Sequence, residues 1–200
     1  MAMSKCCFRG FQWEGTPMGR VGRLANNDTY IAGNNPNIVI LFIADMFGWD
    51  FINNRLLADH FAREIRATVY VPDFFGGEVV ASHIIAEEEA WEKMDLKGFR
   101  ELEIFDCARA LPQEYKKVGA VGYCYGGWAV FRLGAKEHSP SPLVDCISLG
   151  HPSLLTKQDI DEIAVPVQVL APEIDPVYTA ELKQHTWETI PWLGVPFDYQ

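Results

Sequence analysis

Two hundred residues, 48% hydrophobic, 12% aromatic and 22% charged, suffice for one compact domain with a sizeable core and exclude disordered or collagen-like chains. A formal net charge of −10, from 27 acidic and 17 basic side chains, argues against nucleic acid and anionic membrane surfaces as partners. The longest apolar run, Ile38–Ala44, falls far short of the roughly 20 residues of a spanning helix, and Met1–Gly10 has no apolar leader core, so a soluble, cytoplasmic chain is expected.

No repeat, charge block or low-complexity tract marks a boundary, and residues 1–200 read as a single domain in which strands and helices alternate. Ile38–Ile43 is a continuous apolar run suited to a central strand covered on both faces. From Asn53 to Arg66, Leu57, Phe61 and Ile65 recur every four residues, the stripe of a helix packed on a sheet. A strand follows at Thr68–Val71, then a polar helix over Ser82–Lys93. An amphipathic helix over Leu96–Tyr115 has Phe99, Leu102, Phe105 and Cys107 as inward candidates. Lys117–Tyr123 reads as strand, Gly126–Lys136 as helix, Val144–Leu149 as strand, and Lys157–Ile163 as a helix capped by Thr156. A strand at Val167–Ala171 and a helix at Thr179–Ile190 lead into Val195–Tyr199. Strand and helix repeated in this way specify an open, mostly parallel α/β sheet with right-handed crossovers and helices on both faces.

Ligands of such sheets collect at the carboxyl ends of the strands, which selects Asp45, Asp73, Cys124, His151 and Asp175 for scrutiny. Cys6, Cys7, Cys107, Cys124 and Cys146 are an odd, scattered set with no ligand spacing, so neither a disulfide framework nor a metal or cofactor site is expected. Gly122-Tyr-Cys-Tyr-Gly-Gly127 sits between a short apolar strand and a helix and fits the nucleophile-elbow pattern, with Cys124 as the nucleophile. Gly122 and Gly126 let strand and helix backbones approach, the helix N-terminus favours a thiolate, and the Tyr125 amide is a candidate oxyanion donor. Asp175, just after the strand at Val167–Ala171, is the expected acid, with Glu173 as second choice. Asp45, at the end of a buried strand, reads either as a partly desolvated carboxylate or as a helix-cap or turn residue.

The chain resembles the dienelactone hydrolase (carboxymethylenebutenolidase-like) family, most of all its fungal members. The resemblance is carried by Gly15-Thr-Pro17, Asp45-Met-Phe-Gly-Trp49, Val71-Pro-Asp-Phe-Phe-Gly-Gly77, the Cys124 elbow and Leu170-Ala-Pro-Glu-Ile-Asp175-Pro. It implies an α/β-hydrolase fold and hydrolysis of small lactones and related esters through a Cys, His, Asp triad. By that resemblance Cys124 is the nucleophile and Asp175 the triad acid, Asp45 contacts the resting thiol, and the Met46 amide is the second oxyanion donor. Bacterial relatives usually place Glu where this chain has the shorter Asp45.

The family's histidine lies in a segment beyond the point matching Val195–Gln200, so the chain is expected to be truncated at its C-terminus and to lack the last strand and helix. One strand edge and an apolar patch would be uncovered unless a second copy, as in a homodimer, lies over them. His60, His83, His138 and His185 are expected in surface or core roles. His151 should stand near Cys124 as a pocket residue rather than the base, since the order Cys, His, Asp departs from that of the fold. Trp49, Tyr123, Tyr125, Phe74 and Phe75 read equally as an aromatic pocket or as core. Three functions remain open: a thiol esterase or lactonase impaired by the missing histidine, an inactive relative that binds a ligand or partner, and a non-hydrolytic biosynthetic enzyme using the same pocket.

Overall fold

The computed structural model describes residues 11–77 and 98–200; the helix expected at Ser82–Lys93, His83 and the side chain of Phe99 lie outside what it describes. Strands β1 (Arg20–Leu24), β2 (Asn27–Ala32), β3 (Ile38–Ile43), β4 (Thr68–Pro72), β5 (Lys117–Tyr123), β6 (Cys146–Gly150), β7 (Val167–Leu170) and β8 (Phe197–Tyr199) form one sheet in the order β1-β2-β4-β3-β5-β6-β7-β8. Pairing is parallel from β4 through β8, and antiparallel where β2 meets β1 and β4. The helices are α1 (Ile52–Ile65), α2 (Gly98–Ala110), α3 (Tyr125–Leu133), α4 (Lys157–Asp161) and α5 (Ala180–Thr189).

The all-apolar run at β3 exists because both of its faces are covered. Val39, Leu41 and Ile43 join the core built with α2 and α3, whereas Ile40, Phe42 and Ala44 join the one built with Ala58 and Ala62 of α1. Small residues bring α1 onto the sheet closely, and a methyl on Gly33 would lie 3.0 Å from the Ala62 Cβ. The expected stripe is thereby shifted: Leu57 and Phe61 sit at the margin of this core, while Ile65 is 51% exposed. In α2 the inward side chains include Ile104, Phe105, Cys107 and Ala108, and Leu102 is 64% exposed, contrary to expectation. Burial pushes the Cys107 thiol up to about 12, as suits a core cysteine.

The β1–β2 hairpin was not legible. Its first strand is mostly exposed and polar, with Ala25 at φ +50° in the turn, so it carries no buried-strand signal. At the other edge, the segment expected to follow the last predicted helix forms β8. Phe197–Tyr199 pairs in parallel with β7, matching Val167 with Phe197 and Val169 with Tyr199. Trp187, 59% exposed, packs its ring against Phe197 and Tyr199 of this strand. Among the described residues no helix is long and apolar enough to cross a membrane.

Candidate active site

Asp45, Cys124, His151 and Asp175 follow β3, β5, β6 and β7, four neighbouring strands, so the sheet gathers them at its carboxyl edge. Cys124 caps α3 at φ +54° and ψ −114°, a conformation that costs a non-glycine residue about 1–3 kcal/mol. The glycines around it permit that turn. A Cβ on Gly122 would lie 2.1 Å from the Gly126 carbonyl oxygen, and one on Gly126 would lie 2.1 Å from that of Ile43. Three backbones, from β3, β5 and α3, therefore converge beneath the sulfur.

The segment after β6 wraps the same turn. Cys124 N–H donates to the Gly150 carbonyl at 3.2 Å, and Ser153 N–H donates to the Cys124 carbonyl at 2.9 Å. The thiol donates to Ser153 Oγ at 3.6 Å, and Ser153 itself is buried. This strap is strained, with His151 at φ +37° and Leu154 at φ +60°. A methyl on Gly127 would come within 2.8 Å of the Pro152 Cα. Nothing in the sequence singled out Ser153; only the folding back of the strap brings it to the sulfur.

Asp45 accepts hydrogen bonds at Oδ1 from Phe47 N–H and Asn54 Nδ2, both at 3.1 Å. Burial raises its carboxyl above the usual carboxylate range, opposed by those two bonds and by the nearby His151. Both readings of Asp45 hold together, because it is desolvated and also closes a turn. It does not cap α1, whose N-cap is Phe51. Asn54 is a second residue that sequence reasoning missed; it ties Asp45 and the Gly48 carbonyl, at 2.8 Å, to the first turn of α1. The His151 ring is exposed and lies 6.0 Å from that of Tyr123, which also packs edge-on to Phe42.

Asp175 turns one oxygen into its own loop, where Oδ1 accepts from the Val177 and Tyr178 amides at 2.8 and 3.0 Å. The remaining described histidines are engaged elsewhere: His60 with Arg63, His138 with the Arg132 carbonyl, and His185 with Asp161. Tyr125, Phe74 and Phe75 pack in the core, all three at least nine-tenths buried, with Phe75 against Tyr125. Trp49 is half-buried and lines a cavity of about 380 Å³ with Arg23, Asn27, Asp73, Arg100 and Glu103 on the β2–β4 side. Cys124 is not part of that wall. The Trp49 indole nitrogen is buried with no hydrogen-bond partner among the described residues, and the Arg55 guanidinium lies 4.8 Å over its ring. The described residues include no cluster of three or more metal-ligating side chains.

The chain as a whole is similar to known proteins. Residues 28–198 match the model of the "Dienelactone hydrolase family". A hydrolase, tropI, of Talaromyces stipitatus is 27% identical over 96% of this chain and 79% of its own. A carboxymethylenebutenolidase homolog of Homo sapiens is 26% identical over 90% of this chain and 77% of its own. Among solved structures, Thermogutta terrifontis esterase 2 superposes with a TM-score of 0.70 at 14% identity, covering 92% of this chain and 82% of that one. The dienelactone hydrolase of Anabaena variabilis gives 0.63 at 14% identity, over 90% and 82%.

Proposed function

Because the chain belongs to the dienelactone hydrolase family, whose members are hydrolases of ester or lactone bonds, we propose that Cys124 is its nucleophile toward a small ester or lactone. The observation that carries this reading is the conformation of Cys124. A side chain held at φ +54° on a helix N-terminus, over three converging backbones, is strained in the manner of an activated nucleophile. The sulfur attacks the carbonyl carbon, and the oxyanion is received by the backbone amides of Tyr125 and Met46. The alcohol or enolate oxygen leaves, the lactone ring opening if there is one, and a thioester on Cys124 remains.

Asp175 is the acid of the site in this reading, and Asp45 a desolvated carboxylate at its floor. The histidine at this end of the described sheet is His151, whose electrostatic link runs to Asp45. With no histidine hydrogen-bonded to Asp175 among the described residues, hydrolysis of the thioester by these 200 residues is expected to be slower by about 10²- to 10⁴-fold, so that the acyl-enzyme accumulates. The test is intact-mass spectrometry of these 200 residues after mixing with p-nitrophenyl acetate. A single acetyl adduct on the Cys124 peptide, absent in Cys124→Ala, is expected. Rapid full turnover without an adduct would remove the deacylation defect, and ester cleavage by Cys124→Ala equal to the parent would remove the nucleophile. Absence of both adduct and turnover would make a pocket that binds without acylation the better reading.

A further inference from the structure

We propose that Ser153 is a positioning residue for the nucleophile, its hydroxyl serving as a hydrogen-bond partner of the Cys124 sulfur in both thiol and thiolate forms. This inference rests on the assignment of Cys124 as nucleophile. Three observations converge on it. Ser153 is 3% exposed, and its Oγ lies 3.6 Å from Sγ, with no other hydrogen-bond partner for that hydroxyl among the described residues. A buried hydroxyl is rarely left unpaired, so the sulfur is what satisfies it. The Ser153 amide is bonded to the Cys124 carbonyl at 2.9 Å, which fixes the hydroxyl relative to the sulfur through the shortest available path. The segment that delivers it is held in unfavourable backbone geometry on both sides of Ser153, at His151 and Leu154.

The two protonation states ask opposite things of the partner. In the thiol form Sγ–H donates and Oγ accepts. When the thiol proton leaves to the solvent buffer, the sulfur becomes an acceptor, and rotation of one Ser153 torsion turns Oγ–H to donate to it. A hydroxyl can fill both roles, whereas alanine can fill neither. Hydrogen bonds to a charged acceptor are about twice as strong as neutral ones, so the hydroxyl favours the thiolate over the thiol.

The experiment is the pH dependence of alkylation by iodoacetamide, in which the thiolate forms a carbon–sulfur bond and iodide departs. It is read on the Cys124 peptide by mass spectrometry so that the other cysteines do not contribute. Ser153→Ala removes one atom; its midpoint should move up by about one pH unit, with the rate at lower pH falling about tenfold. Ser153→Thr keeps the hydroxyl and should return the midpoint toward that of the parent. Among the described residues, the titratable groups at this end of the sheet include Asp45 after β3, Asp73 after β4, Tyr123 on β5, Tyr125 on α3, His151 on the strap and Glu173 and Asp175 after β7; Ser153→Ala alters none of the chain's titratable side chains, so the difference reads the hydroxyl. An unchanged midpoint in Ser153→Ala would overturn the proposal, even if its melting temperature fell, because a merely structural serine predicts that result. If Ser153→Thr does not fold, the alanine profile alone decides. Ester cleavage by Cys124→Ala is measured alongside: if it persists, the nucleophile assignment fails, whereas its loss together with an unshifted Ser153→Ala profile sinks only the role given to Ser153.

Discussion

Gly122→Ala is the sharpest probe of the turn on which the site is built. The added methyl carbon would stand 2.1 Å from the Gly126 oxygen, 2.3 Å from its carbonyl carbon and 3.0 Å from its Cα. Comfortable carbon contacts begin near 3.5 Å, so β5 and α3 must separate by about 1 Å or more. No side-chain rotation can absorb this, since every contact is with backbone, and α3 is buried along nearly its whole length. Overpacking of this kind costs about 2–4 kcal/mol, which for a domain of this size lowers Tm by about 5–15 °C. Gly119 supplies the control on the same strand: its added methyl would meet only the Cys146 sulfur at 3.6 Å and the Cys146 carbonyl oxygen at 4.0 Å, ordinary contacts. Gly119→Ala should stay within about 1 kcal/mol of the parent and can gain from a less flexible unfolded chain. Urea denaturation of the two variants, followed by circular dichroism, measures the difference. Equal stabilities would refute the argument that close backbone approach, rather than strand glycine as such, makes Gly122 necessary.

Three further outcomes follow from the same contacts. The raised carboxyl of Asp45 means that the folded state holds its proton more tightly than the unfolded state, so its contribution to stability is present below the unfolded carboxylate range and lost as pH rises through the raised value. Asp45→Asn, which can keep both acceptor contacts, should melt above the parent at neutral pH and converge with it in acid; a constant offset across pH would count against the burial account. Arg132, 17% exposed, joins Glu101 at 2.6 Å, Glu137 at 2.5 Å, Glu162 at 3.4 Å and Asp159 at 3.8 Å. Arg132→Met should cost about 2–4 kcal/mol in urea, reduced from the fully buried case because the acids are partly solvated, and a loss below about 0.5 kcal/mol would mark the cluster as ordinary surface charge. Thr156 accepts from the Asp159 amide at 3.2 Å while Asp159 accepts from the Thr156 amide at 2.8 Å; Thr156→Ala should lose about 1 kcal/mol by thermal melting, and an unchanged Tm would show that the capping box is redundant.

Local interactions made much of this protein readable in one dimension. The apolar run of β3, the close approach of Gly122 to Gly126 and the Thr156 cap each act within a few residues, so the strand, the elbow and the helix start stand where the residues say they should. The order of strands and helices likewise places Asp45, Cys124, His151 and Asp175 at one end of the sheet. What the chain does across long separations was not legible. The hairpin of β1 and β2 is held by pairing with β4, about forty residues away, and its first strand is too polar and exposed to announce itself. Whether an aromatic residue packs inside or lines a cavity depends on what is laid over it, which separates the core residues Phe74, Phe75 and Tyr125 from Trp49 although all four are aromatic. Ser153 and Asn54 differ from other polar residues only in what they touch: their roles arise when a strained strap and the first turn of a helix bring a hydroxyl to a sulfur and an amide to a carboxylate. Such contacts depend on tertiary packing, because hydrogen-bond geometry is specified in three dimensions and sequence spacing alone does not encode it.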